Sequence, residues 1–173
     1  NMNFKKDKYE VIPNAISKDM ANFLYLYSLL KRRVCKTFMD RRRISKFTKD
    51  FGTWQDPQVP NTYSLYGDVA MDTLLYKMGS IMEEKSGYEL VPTYSYMRVY
   101  KKGDVLKRHK DRKSCEISTT MNLGGEPWPI YLSKNPKDGK EINKRYKPSK
   151  VKGIKINLNP GDMLIYRGCE LEH

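Results

Sequence analysis

The first stretch of ordered hydrophobicity alternates. Tyr9, Val11 and then Ile12 flank Glu10, which predicts a short strand closed by Pro13-Asn14. Ser17 follows as a helix N-cap, and Asp19 places a negative charge where the helix dipole favours it. Met20, Phe23, Leu24, Tyr27, Leu30 and Val34 recur at helical spacing and predict a packed helix from Lys18 to about Phe38. Between Asp40 and Pro60 the periodicity is lost. The segment is basic, then punctuated by Gly and Pro, and predicts loop. Asn61 to Tyr66 predicts a strand. Gly67-Asp68 then opens a second helix with an apolar stripe of Val69, Leu74, Leu75, Met78, Ile81 and Met82, ended by Gly87 at the C′ position. The methionines of that stripe read as core.

Beyond Pro92 the period changes to two. Tyr94, Tyr96, Arg98 and Tyr100 alternate with Ser95, Met97 and Val99, and Lys101 to Asp104 reads as a tight turn. Further strands are predicted at Val105 to Asp111, Glu116 to Leu123, Trp128 to Leu132, Ile154 to Leu158 and Met163 to Tyr166. Ser133 to Lys150 is polar and charged and reads as a long hairpin excursion. Asn159-Pro160-Gly161-Asp162 is a strong turn signal. Two helices followed by at least six short strands predict an α+β fold: a double-stranded β-helix (jelly-roll) core of antiparallel strands with N-terminal helices packed on it. The expected organisation is a single domain over residues 1–173, with a helical part over 1–90 and the jelly-roll core over 91–173.

Composition narrows the class. With 39% apolar residues in 173, the chain can bury one ordinary core. No run approaches the roughly 20 apolar residues of a membrane helix, and no apolar run follows Asn1 to Lys6, so neither membrane span nor secretory leader is expected. The three cysteines, Cys35, Cys115 and Cys169, have no close pairing. They fit neither a disulfide framework nor a Cys-built zinc site, and a reducing cytoplasm is the default reading. The net charge of +13 permits a nucleic-acid or other polyanionic partner. The charges lie in separate clusters, at Lys31 to Arg33, Arg41 to Arg43, Arg108 to Lys113 and Lys134 to Lys155, rather than along one stripe. Nucleic acid is therefore a possible partner but not the favoured one.

The only histidines are His109 and His173. In His109-Lys110-Asp111 the two outer residues, if extended, project to the same side with Cα atoms about 6.6 Å apart, at roughly 3.3 Å per residue. An imidazole and a carboxylate so placed reach one metal ion. A second histidine from a distant strand would complete a face of two histidines and one carboxylate, with open positions suited to Fe(II) and O2 chemistry. His-x-Asp alone is a common chance pattern. Spacing by itself leaves a surface or core role for these residues open.

Two blocks of sequence add to this. Glu89 to Pro92, Arg98-Val99-Tyr100, Gly103 and His109-Lys110-Asp111 resemble the first half of the core of prolyl-4-hydroxylase-like 2-oxoglutarate/Fe(II) dioxygenases. Asn159 to Tyr166, followed by His173, resembles the turn and strand that deliver the distal histidine in that family. The resemblance implies that His109, Asp111 and His173 are Fe(II) ligands and the catalytic centre. It implies 2-oxoglutarate as co-substrate, O2, and ascorbate as an accessory reductant. Tyr100 stands where the family has a tyrosine that hydrogen-bonds 2-oxoglutarate. Thr120 replaces another tyrosine that usually contacts it. The family's basic anchor for the far carboxylate lies beyond the distal histidine, so the resemblance implies either that the core continues past His173 or that the anchor differs. Arg98 and Arg167 are substitutes off the family position. Cys169 and Glu170 lie near His173 in sequence and are weaker candidates for groups supporting it. Trp128 and Tyr131 read as core or as the border of a substrate opening.

The implied reaction is decarboxylation of 2-oxoglutarate to succinate and CO2, coupled to hydroxylation of a substrate C–H bond. A peptide or protein, with proline as the target residue, is the first expected substrate. A free amino acid, small metabolite or nucleobase is the alternative. A basic polyanion-binding module without catalysis is the reading from another class.

Overall fold

A computed structural model describes residues 3–173. The expectation that no leader begins at Asn1 and Met2 lies outside the described residues. The elements in order are α1 (Phe4–Asp7), β1 (Tyr9–Ile12), α2 (Lys18–Asp40), β2 (Tyr63–Tyr66), α3 (Val69–Ser86), β3 (Tyr96–Val99), β4 (Ser118–Met121), β5 (Ile130–Leu132), β6 (Lys140–Ile142), β7 (Arg145–Lys147), β8 (Ile154–Ile156) and β9 (Met163–Tyr166). Every strand pairing is antiparallel. The chain gathers into two compact units. One is built from the segment ending at Asn22 together with Ser80–Thr93 and Arg108–His173, the other from Phe23–Gly79 and Tyr94–Lys107.

The first unit is organised by β9, the middle strand of a three-stranded sheet of order β1-β9-β4. Tyr166 faces Tyr9 on one side and Ser118 on the other. All four residues of β9 are buried, which explains why Met163-Leu164-Ile165-Tyr166 is apolar throughout instead of alternating. Strands β5 and β8 form a second, two-stranded sheet. Tyr9, Leu132, Ile156, Leu164, Tyr166 and Leu171 make one buried cluster, with Val11, Ile130, Ile154 and Leu158 packed against it, so both sheets feed one core. Each fully buried aliphatic side chain there contributes about 1.5–3 kcal/mol.

The turn before β9 is held from both ends. Asp162 is buried, and its two carboxylate oxygens accept from the backbone N–H of Asn14 and of Asn159, each at 2.9 Å. Gly161 has φ +93°, and its carbonyl accepts from Ile16 N at 3.3 Å. A Cβ there would stand 2.7 Å from the Ile16 carbonyl oxygen.

In the second unit β2 and β3 pair over Tyr63–Tyr66 and Tyr96–Val99. Asp68 caps α3 by accepting from Ala70 N and Met71 N, while Tyr27 donates to its other oxygen at 2.7 Å. Ser17 accepts from Met20 N as the predicted cap of α2, and Gly87, at φ +70°, donates back to Glu83 O.

Two local expectations are corrected. Phe23 and Leu30 of the predicted α2 stripe are 69% and 60% exposed; Leu24 is buried as expected, and the buried face continues through Ala21, Ser28 and Cys35. The helix is apolar on two faces, and the smaller side chains permit the closer packing. Val105 to Asp111 is not a strand. The hairpin excursion expected over Ser133 to Lys150 is present as the ordered pair β6–β7, whose turn residues Asn143 and Lys144 both have positive φ. The three cysteines are free thiols. No described helix is long and apolar enough to cross a membrane.

Gly161→Ala should lower unfolding stability by about 2 kcal/mol, because it adds both a positive-φ penalty and a clash with a backbone carbonyl. A chemical-denaturation curve with an unchanged midpoint would show that the turn tolerates the change.

Candidate metal centre

His109, Asp111 and His173 come together in the first unit, although no regular strand carries any of the three. Their backbones perform the alignment. His109 N donates to His173 O and His173 N donates to His109 O, both at 3.0 Å. This reciprocal pair is the narrow hydrogen-bonded unit of an antiparallel ladder, in which opposed side chains share a face. The imidazole centroids accordingly lie 4.4 Å apart. Asp111 N donates to Gly168 O at 2.9 Å. Between Gly168 and His173 the chain makes a turn, with Glu170 N and Leu171 N both bonded to Arg167 O. That turn lets one short C-terminal segment meet both ends of His109-Lys110-Asp111.

The side chains converge further. Asp111 Oδ1 lies 3.6 Å from His109 Nε2 and 3.5 Å from His173 Nε2. First-row divalent cations bind such donors at about 2.0–2.2 Å, so donors sharing one ion stand roughly 3–4 Å apart. The second carboxylate oxygen is occupied: Ser118 Oγ donates to Oδ2 at 2.6 Å. His173 Nδ1 lies 2.9 Å from Leu171 O. A carbonyl can only accept, so Nδ1 carries the proton and Nε2 presents its lone pair to the site. Burial pushes the Asp111 carboxyl up, but the facing His109 and His173 rings and the hydrogen bond from Ser118 outweigh it and hold the group well below the usual carboxylate range. An ionised carboxylate with one free oxygen, facing imidazole nitrogens, is a donor set that fits a divalent cation.

Several supporting residues carried no signal in the sequence. Ser118 is one of several hydroxyl residues in β4. Gly168 is required by space, since a Cβ there would overlap Asp111 Oδ2 and Ser118 Oγ. Glu172 looks like a surface acid but is 1% exposed. Its carboxylate accepts from Tyr146 OH at 2.5 Å, Ser149 Oγ at 2.5 Å and Ser149 N at 3.0 Å, and Arg108 Nη1 lies 3.5 Å away. Burial raises the Glu172 carboxyl, and these donors more than reverse that, leaving it below the ordinary glutamate range. Arg108 precedes His109 and Glu172 precedes His173, so an ion pair joins the neighbours of both histidines.

The other predicted residues are placed as follows. Thr120 is on β4 two residues beyond Ser118, and therefore on the same strand face. Tyr100 belongs to the second unit, where Arg98 Nη1 donates to its hydroxyl at 3.2 Å. Arg98 is paired with Asp56 at 2.5 Å, and Arg167 with Glu116 and Glu170 at 2.9 and 2.8 Å. Both arginines thus already have carboxylate partners. Glu170 also pairs with Lys8, and Cys169 is half-buried. Trp128 and Tyr131 are each 41% exposed, so neither is core.

No protein-family model and no curated protein matches the sequence. The structure does have a solved counterpart, a Pseudomonas putida prolyl-4-hydroxylase. The match has a TM-score of 0.59 and covers 98% of this chain and 85% of that one, at 12% sequence identity. The two proteins share a fold. The mixed helices and antiparallel strands expected from the sequence are present in that shared arrangement.

Ser118→Ala should weaken divalent-metal affinity by about 10-fold, and Gly168→Ala by up to about 100-fold, with secondary structure retained. Cobalt(II) titration followed by absorbance checks both. Glu172 has a depressed folded-state pKa, so its stabilising contribution is present above the ordinary glutamate range and is lost as pH falls through the depressed value. Glu172→Gln should therefore flatten the acid limb of stability against pH. An unchanged limb would mean that other carboxylates govern it.

Proposed function

We propose that the chain is an Fe(II)- and 2-oxoglutarate-dependent dioxygenase that hydroxylates a C–H bond, prolyl-4-hydroxylase-like and acting on a peptide or protein. The observation that carries this reading is the convergence of His109 Nε2, His173 Nε2 and a single oxygen of Asp111, with the other oxygen held by Ser118. A face of two imidazoles and one carboxylate leaves open coordination positions, the arrangement used by non-haem Fe(II) oxygenases. Further support comes from the fold shared with the Pseudomonas putida prolyl-4-hydroxylase. On this reading the strands of the first unit form a double-stranded β-helix, with the two sheets that meet in one core as its faces.

The roles of the protein groups follow from their positions. Asp111 and the two histidines would hold the iron. Ser118 keeps Asp111 Oδ1 free to ligate by occupying Oδ2. The Leu171 carbonyl keeps the Nε2 of His173 deprotonated. Thr120, on the same face of β4 as Ser118, would contact 2-oxoglutarate; for Tyr100 that role rests on the sequence resemblance alone. Bound there, Fe(II) with 2-oxoglutarate supplies the O2-dependent oxidation, and the protein supplies orientation and exclusion of side reactions.

Succinate release from 2-oxoglutarate under air, with added Fe(II) and ascorbate, should be measurable for the full chain. In Asp111→Ala it should fall to background together with iron binding. Retention of turnover in that variant would remove Asp111 from the site. Tyr100→Phe should raise the 2-oxoglutarate Kd by about 10-fold through loss of one hydrogen bond to a charged group, without loss of metal. An unaltered Kd would leave Tyr100 as a lining aromatic.

A further inference from the structure

The hairpin β6–β7 is tied to the residues that adjoin the candidate ligands. Lys110, between His109 and Asp111, donates from Nζ to Pro136 O at 2.8 Å and to Gly139 O at 3.0 Å. Glu172, next to His173, accepts from Tyr146 and Ser149 beyond the second strand, and its backbone carbonyl accepts from Ser133 N at 2.8 Å. Gly139, at φ +68°, lies so close that a Cβ would overlap Tyr146 and Glu172. The excursion is thus clamped at both ends to the segments that carry the histidines.

What it presents outward is positive charge. From Ser133 to Lys152, the excursion with the two residues that follow it, there are eight basic residues against two acidic ones, so this stretch carries net +6 of the chain's +13. Lys137, Lys140, Lys144, Arg145, Lys147 and Lys150 are exposed, and none has an ion-pair partner among the described residues. One of the two acids, Asp138, is engaged by the Ser133 hydroxyl. Unpaired like charges held together cost self-repulsion, which an anionic partner relieves.

We infer that this hairpin docks an acidic polypeptide segment of the substrate beside the metal centre. The inference rests on reading that centre as the catalytic site. Three features favour polypeptide over nucleic acid. Seven of the eight cations are lysines, without the fork geometry that suits phosphate. The one aromatic residue of the excursion, Tyr146, is half-buried with its hydroxyl committed to Glu172, so the hairpin itself offers bases no exposed ring to stack on. The hairpin is a sheet of two strands, so each strand keeps one edge of N–H and C=O groups with no third strand beside it, and an extended peptide can add there.

The test is anisotropy of a fluorescein-labelled peptide of alternating Glu and Pro at low salt, with the full chain. Replacing Lys140, Lys144, Arg145 and Lys147 by Glu should weaken binding by more than about 10-fold, because attraction at the contact becomes repulsion. Replacing Arg41, Arg42, Arg43 and Lys49 by Glu makes the same change in net charge outside the hairpin and should alter binding by no more than about 2-fold, since the contact is assigned to the hairpin and charges not in contact are screened. All eight positions are exposed, and circular dichroism verifies that both variants fold. Equal loss in the two variants would overturn the inference in favour of diffuse charge. Tighter, hairpin-dependent binding of an oligothymidylate of equal charge would overturn it in favour of nucleic acid. Asp111→Ala should bind the peptide like the parent chain. If succinate release fails while peptide binding follows the hairpin, the docking surface stands and the catalytic reading falls.

Discussion

The reciprocal backbone hydrogen bonds between His109 and His173 are the constraint on which the site depends. Two residues that exchange both N–H···O=C bonds must present their side chains to one face, so the imidazoles are brought together by main chain rather than by side-chain packing. The cost of closing a long loop between distant segments is met by the core that β9 anchors. With His173 fixed, the turn at Arg167 to Leu171 brings Gly168 to Asp111, and the absence of a side chain at Gly168 leaves room for the carboxylate and for Ser118.

Around this frame the polar groups divide the work by atom. One oxygen of Asp111 is used by Ser118 and the other faces the imidazoles. One nitrogen of His173 is used by a backbone carbonyl and the other faces the site. In Asp111 and His173 the donor that a metal would need is left open because its twin atom is satisfied elsewhere. This is the outer-sphere ordering that sets ligand orientation and tautomer. The same segments, through Lys110 and Glu172, hold a lysine-rich hairpin in a fixed place. Its charge therefore belongs to the region of the candidate metal centre rather than to a diffuse surface.

Strong local signals in the sequence were reliable. The short strand at Tyr9 to Ile12, the Ser17 cap, the Gly87 stop and the Asn159 to Asp162 turn each express a constraint confined to a few residues, and each has its counterpart in the structure. The exposed apolar face of α2 was misread because periodicity shows that a helix has an apolar stripe, but not which of two stripes is covered. The segment carrying His109 and Asp111 was expected as a strand. It is held instead by isolated hydrogen bonds to the C-terminal segment, which alternation within the segment cannot reveal.

The sequence by itself determined the residue types available for chemistry. With two histidines in the chain, a two-histidine site had to use His109 and His173, and His-x-Asp supplied the adjoining carboxylate. It also determined the antiparallel, strand-rich second half, because period two and turn residues are local properties. Only the tertiary structure decided that Ser118, Gly168, Leu171 and Glu172 serve this centre, and that a basic excursion is clamped next to it. Those relations join residues far apart in the chain through single hydrogen bonds and excluded volume, and neither leaves a periodic trace in sequence.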